Sequence, residues 1–228
     1  MRLHLKQYTE PIFDQLVGYR DQLVEHPLLI AARAGELSKE VLHEFAFHQY
    51  SDSILWIPML AQMRSMASRS HRLRKAIEDN IAHEAGLTTI SHVTLAAAMM
   101  RSLGITSLDS FATSTFATSA TLWLTDEFAL QTEPEIAGWL LAAETLVPVM
   151  FAALAPSFGA LGADTRYFGE HVEVDTDEHA RWMAESVEDV IELYGGGCVD
   201  QIHAGMADAW QETRDVPDAL WRRQCASL

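Results

Sequence analysis

The sequence predicts an all-α protein, and three observations support that prediction. Apolar side chains recur at intervals of three and four residues through most of the chain, which is the period of one helix face. Runs of alternating β-branched residues, which mark half-buried strands, are absent from the sequence. Residues that favour helix starts and stops flank the periodic stretches. We therefore expect one domain over residues 1–228, a bundle of about seven or eight helices.

Three helices are predicted in the first part of the chain. The first runs from about Thr9 to Glu25 and stops before Pro27, because proline disfavours helical geometry in the residue that precedes it. The second follows the N-cap residue Ser38 and contains Pro58, which should kink it. The third begins near Ser70 and leads to the segment around Gly86.

Helices are also predicted through the rest of the chain. Gly86 permits a bend, after which the helical pattern resumes and ends at Gly104. A helix rich in small residues follows over 107–128, and an apolar helix over 133–154 has Pro134 in its first turn. The last two helices should cover about 164–194, before three glycines, and about 199–214.

The composition excludes several classes of function. Sixteen Lys and Arg stand against thirty-two Asp and Glu, which gives a formal net charge of −16. Nucleic acid and anionic membrane surfaces would be repelled by that charge, so neither is an expected partner. The two cysteines, Cys198 and Cys225, form no CxxC pair, and the N-terminus has no signal-peptide core. We expect a soluble protein of the reducing cytoplasm that does not span a membrane.

The strongest local signal for chemistry is the segment HVEVDTDEH, in which His171, Asp175 and His179 are spaced four residues apart. On a helix these side chains spread over roughly 80° of one face, and imidazole with carboxylate suits iron, zinc or manganese. The two histidines would lie about 12 Å apart on a straight helix, which fits two metal ions better than one. A charged, solvent-facing helix with two incidental histidines is the structural alternative.

Glu144 is a carboxylate within the otherwise apolar helix WLLAAETLVPVMFAAL. Burial of an unpaired carboxylate costs several kcal/mol, so Glu144 needs either a basic partner or a cation. No Lys or Arg occurs between Arg101 and Arg166, which favours the cation.

A third segment, NIAHEAGLTTISHVTL, contains Glu84 and His92. Their eight-residue interval corresponds to about 12 Å along a straight helix, and Gly86 could shorten it by bending the chain. His83 is a competing ligand, although it lies one step around the helix from Glu84, so that the two do not easily face one centre.

Taken together, these three segments resemble the haem-oxygenase-like di-iron oxidase and oxygenase family, whose relatives include thiaminase-like and pyrroloquinoline-quinone-synthase-like proteins. The resemblance rests on NIAHEAGLTTISH, ETLVP and HVEVDTDEH and covers most of the chain. It implies a haem-oxygenase-like helical bundle that binds two iron ions and uses O2 as co-substrate. The implied ligands, among which the three carboxylates are also catalytic, are Glu84, His92, Glu144, His171, Asp175 and His179.

The resemblance further implies oxidation of a small metabolite, for which an amine or amino-acid derivative is the leading class, by N-oxygenation or by oxidative C–C or C–H chemistry in a biosynthetic pathway. An external electron donor and a homodimer are compatible with it. Asp52 is a candidate for the further carboxylate that some N-oxygenating members recruit. Two alternatives stay open: a metal-free enzyme of the thiaminase-like or quinone-forming type, and a non-catalytic helical binding protein. Candidate pocket residues are Phe47, Trp56, Phe116, Trp123 and Trp139.

Overall fold

The structure is a computed structural model that describes residues 2–87, 89–106, 132–174 and 179–226. These ranges contain nine α-helices and no strand, which confirms the predicted all-α class. The helices are α1 (Arg2–Val24), α2 (Pro27–Ala34), α3 (Lys39–Met66), α4 (His71–Glu84), α5 (His92–Ser102), α6 (Glu133–Ala160), α7 (Arg166–Val174), α8 (Ala180–Tyr194) and α9 (Val199–Ala226).

Several predicted boundaries are confirmed by side-chain caps. Ser38 and Ser70 accept hydrogen bonds from the backbone N–H groups of Val41 and Leu73, and so cap α3 and α4. Thr132 caps α6 through a reciprocal capping box with Glu135. The sequence therefore located these helix starts correctly from local chemistry alone.

Other boundaries were predicted wrongly. Helix α1 begins before Thr9 and contains Pro11, and α9 continues through Pro217 to Ala226. Helix α2 was not predicted at all: Nδ1 of His26 accepts a hydrogen bond from Leu28 N–H, and Pro27 occupies the first turn.

Two predicted helices cannot be followed over their whole length. The predicted helix over 107–128 lies outside the described residues, as do the pocket candidates Phe116 and Trp123. The predicted helix over 164–194 corresponds to α7 and α8, with residues 175–178 outside the description.

Helix α6 lies at the centre of the bundle and packs against α1, α2, α3, α7, α8 and α9. Its longest contact is with α9, where glycines allow the two backbones to meet. A Cβ atom on Gly138 would lie 2.1 Å from the carbonyl oxygen of Ile202, and one on Gly205 would lie 2.0 Å from that of Glu135. Because the side chains around α6 are buried on all sides, the helix is apolar around most of its circumference.

Helix α6 is long and apolar enough, by length and composition, to cross a membrane. However, 78% of its most apolar window is buried inside the protein, as expected for the central helix of a bundle. These properties are weak support for a membrane span, and the predicted cytoplasmic location remains a prediction.

Candidate metal centre

Glu84 and His92 meet because the chain turns sharply between them. Glu84 is the last residue of α4 and His92 the first of α5. Gly86 adopts a φ of 73°, and a Cβ atom at this position would lie 2.4 Å from the backbone nitrogen of Ser91. This turn replaces the straight helix that would have separated the pair, and it brings Glu84 Oε2 to 2.7 Å from His92 Nδ1.

His171 joins this pair from α7. One possible ligand atom from each of Glu84, His92 and His171 lies within 4.8 Å of the others, and all three side chains are buried. The ring of His171 packs against Phe151 and Tyr167. Its Nδ1 lies 2.8 Å from the Tyr167 carbonyl oxygen, a contact that sets the tautomer and directs Nε2 away from the α7 backbone.

Glu144 and His179 form a second buried pair beside the first cluster. His179 Nδ1 lies 3.2 Å from Glu144 Oε2, although the two side chains come from different parts of the chain. The side-chain amide of Asn80, which is fully buried, donates a hydrogen bond to the other oxygen of Glu144. The described partners of Glu144 thus include no Lys or Arg, and the basic partner weighed from the sequence is absent from this part of the chain.

The ring of His83 lies between the two groups. Its centroid is 4.9 Å from that of His92 and 5.2 Å from that of His179, with nearly perpendicular planes in both cases. From the sequence, His83 and His92 were interpreted as alternative ligands of one metal centre. In the structure both side chains belong to the same buried cluster, and His92 is the one that contacts Glu84.

Burial keeps two of these imidazoles neutral. Desolvation, followed by the neighbouring His92, lowers the pKa of His171 well below its ordinary value of 6.5. Desolvation, with smaller contributions from His92 and His179, lowers the pKa of His83 to about 4. A neutral imidazole has a free lone pair, so these side chains are in the state that binds metals near pH 7.

Five of the six predicted ligands therefore converge. They are Glu84, His92, Glu144, His171 and His179. Asp175, the sixth, lies outside the described residues. Asn80, which holds Glu144, was not predicted to belong to the site, and His83, which the sequence offered as an alternative ligand to His92, lies in the cluster together with it. The sequence signal for Asn80 was its position four residues before Glu84, on the same face of α4.

Asp52 lies outside the cluster of predicted metal ligands. Its carboxylate lies 2.9 Å from Nε2 of His48, one helical turn earlier on α3. It lines the same cavity as Glu84 and His171 but is not part of their cluster.

The chemistry of the cluster fits a divalent metal. Glu84 and Glu144 are 7% and 5% exposed, and neither is paired with Lys or Arg among the described residues. Burial of two carboxylates that line the same cavity is unfavourable unless a cation compensates their charge. Four imidazoles surround these carboxylates, and imidazole and carboxylate ligands share a preference for metals such as iron, so ligands suitable for iron are already assembled.

A cavity of about 840 Å³ opens beside the cluster. Glu84, Glu144 and His171 line it from the cluster side. Trp56 and Trp139, both predicted pocket residues, line it as well, with ring centroids 5.7 Å apart. Its size is that of a pocket for a small molecule.

The fold and the cluster together define a class: an all-helical protein in which buried carboxylates and imidazoles border a small-molecule cavity. The family model of haem-oxygenase-like proteins described as iron-containing redox enzymes matches residues 39–211, and the chain belongs to that family. No curated protein matches the chain.

Two solved structures share the fold. One is a domain of unknown function with a haem-oxygenase-like fold from Shewanella denitrificans OS217, with a TM-score of 0.74, 16% identity, and coverage of 94% of this chain and 92% of that one. The other is a TenA homologue from Pseudomonas syringae pv. tomato DC3000, with a TM-score of 0.71, 12% identity, and coverage of 97% and 93%. At these identities the likeness establishes the haem-oxygenase-like fold, as the sequence predicted.

Proposed function

We propose that the protein is a non-haem di-iron enzyme that uses O2 to oxidise a small amine or amino-acid derivative. The observation that carries the proposal is the convergence of Glu84, His92 and His171, whose possible ligand atoms lie within 4.8 Å of one another in a buried site. Membership of a family described as iron-containing redox enzymes supports iron as the metal.

The proposed ligands divide into two groups. Glu84, His92 and His171 would hold one iron ion, and Glu144 and His179 would hold the other together with Asp175. When bound, two ferrous ions supply the electrons and the oxygen-activating chemistry that amino-acid side chains lack.

The protein's own contribution is to position ligands and exclude water. Asn80 fixes one oxygen of Glu144 by hydrogen bonding, and the Tyr167 carbonyl oxygen fixes the ring of His171. Phe151 packs edge-on against His171 and shields that side of the cluster.

The charge of the cavity supports a cationic substrate such as a protonated amine. Besides the proposed ligands, the lining carries Glu44, Asp52, Glu212 and Asp215 against Arg222 and Arg223. Arg223 is already paired with Glu44 at 2.5 Å. Acidic groups in a concave site raise the local concentration of cations, and indole faces such as those of Trp56 and Trp139 attract them further.

The test is oxygen consumption by protein loaded anaerobically with Fe²⁺. A panel of amino acids, amino-acid amides and alkyl amines is added with ascorbate as electron donor, and O2 uptake and products are measured. At least one amine should raise O2 uptake above the substrate-free rate and yield an oxidised product.

His171→Ala should abolish the amine-dependent uptake because it removes a ligand. His71→Ala is the matched control, since His71 lies at the exposed start of α4, and it should behave as the unaltered protein. A protein that turns over an amine without iron, or one that takes up no iron and consumes no O2 with any amine, would contradict the proposal. The first result would favour a metal-free enzyme and the second a binding protein.

A further inference from the structure

His83 is the one member of the histidine cluster to which the proposed function gives no role. Its side chain, on the last turn of α4, is 8% exposed. It lies between His92, which belongs to the first group of ligands, and His179, which belongs to the second. His83 therefore lies between the two groups of proposed metal ligands.

Both ring nitrogens of His83 are buried and lack a hydrogen-bond partner among the described residues. The carboxylate of Glu170 lies 3.9 Å from Nε2, which is beyond hydrogen-bond distance. A buried polar group without a partner is energetically unfavourable, so native proteins rarely keep one without a reason. A metal ion would satisfy one of these nitrogens.

The second group of ligands is the one that has room for a further ligand. The first group already has three ligands, and among the described residues His83 is not within 4.8 Å of all the ligand atoms of either group. The second group has only Glu144 and His179 among the described residues, and the ring of His83 is in contact distance of His179.

We propose that His83 is a ligand of the second metal position, beside Glu144 and His179. This inference rests on the proposed function, because it requires that the second position binds a metal at all. It adds a nitrogen ligand to the set that the sequence resemblance implied, and it assigns consecutive residues, His83 and Glu84, to different metal ions.

The experiment is anaerobic titration with Co²⁺, whose visible absorption reports coordination directly and needs no turnover. The unaltered protein should bind two Co²⁺ ions per chain. His83→Ala should keep the first ion and lose the second, or bind it at least about tenfold more weakly, as expected for loss of one ligand. Addition of imidazole should restore the second ion and its spectrum by filling the vacated space.

His83→Gln controls for volume, because glutamine fills the site but is a poor ligand, and it should also lose the second ion. His203→Ala is a control histidine on α9, whose ring instead contacts Gln15, and it should bind two ions normally. Circular dichroism establishes that each variant is folded.

The outcomes separate the two proposals. If the unaltered protein binds two ions and His83→Ala binds two with the same affinity and spectrum, His83 is not a ligand, although the di-metal site stands. If His83→Ala loses the second ion while His83→Gln keeps it, His83 only fills space and the inference is wrong. If the unaltered protein binds no Co²⁺ and no Fe²⁺, the proposed function fails first.

Discussion

His179 Nδ1 lies 3.2 Å from Glu144 Oε2, and this contact joins the start of α8 to the middle of α6. Glu144 is held on its other side by the side-chain amide of Asn80 on α4. Two segments distant in the chain therefore hold the carboxylate that α6 carries. Such support leaves Glu144 in one orientation, as a metal ligand requires.

Removal of the Asn80 amide should weaken metal binding without removing a ligand. In Asn80→Leu the Glu144 carboxylate loses its hydrogen bond, so the affinity for Fe²⁺ should fall about 10- to 100-fold. Competition with a chelator under anaerobic conditions measures the change. Gln224→Leu is a matched control, because Gln224 is also a buried amide but bonds to Ser38 and Glu36, away from the cluster. Equal iron affinity in the two variants would show that Asn80 does not position the ligand.

The turn at Gly86 should be necessary for the first group of ligands. Gly86→Ala forces a side chain into the left-handed region and against the Ser91 backbone at 2.4 Å, so the contact between Glu84 and His92 should open and iron affinity should fall. Gly104→Ala is the matched control. Its φ of 77° imposes a similar backbone strain of about 1–2 kcal/mol, but an added Cβ meets nothing within 4 Å.

Thermal unfolding and iron titration distinguish the two glycine variants. Gly104→Ala should lose stability only, whereas Gly86→Ala should lose stability and iron affinity. If Gly86→Ala retains full iron affinity, the close turn is not what positions Glu84 and His92.

The metal-free protein should lose stability as the pH falls from about 6.5 towards 4. The pKa of His83 is lowered to about 4 in the folded protein, chiefly by burial, and is near 6.5 when the chain unfolds. Between these values the unfolded chain binds a proton that the folded protein does not, so protonation favours unfolding. This contribution of His83 to the free energy of unfolding is fully present above pH 6.5. Burial also lowers the pKa of His171, so His171 acts in the same direction.

Urea denaturation of the metal-free protein at pH 7 and pH 5 measures this effect. The free energy of unfolding should be lower at pH 5, and the drop should be smaller in His83→Gln, which has no imidazole to protonate. An identical drop in both proteins would contradict the assignment to His83.

Much of the candidate site could be predicted from the sequence because the residue patterns that indicate it lie within short segments of the chain. Glu144 was recognisable as a carboxylate in an apolar helix that lacks nearby basic residues. Glu84 and His92 could be joined because Gly86 marked a bend between them. The N-cap Ser38 and the helix start near Ser70 were equally local signals, and both were placed correctly.

The parts of the candidate site that the sequence did not predict depend on contacts between segments that are distant in the chain. His83 was kept only as an alternative to His92, because consecutive helical residues such as His83 and Glu84 point about 100° apart. That argument applies when His83 and Glu84 would bind the same metal ion. In a site for two metal ions, each of the two residues can bind a different one. His171 and His179 were predicted to lie on one helix; the structure places His171 within α7 and His179 immediately before α8, and the residues 175–178 between them lie outside the described ranges.

The most direct test of the account is the number of iron ions bound per chain. Anaerobic equilibrium dialysis against Fe²⁺, followed by metal analysis, should give about two ions for the unaltered protein. Glu144→Gln should bind one and unfold at the same or a higher temperature without metal, because glutamine still accepts from Asn80 and no longer buries a charge. Absence of bound iron in the unaltered protein, or an undiminished two ions in Glu144→Gln, would contradict the claim that these buried carboxylates and imidazoles form a di-iron centre.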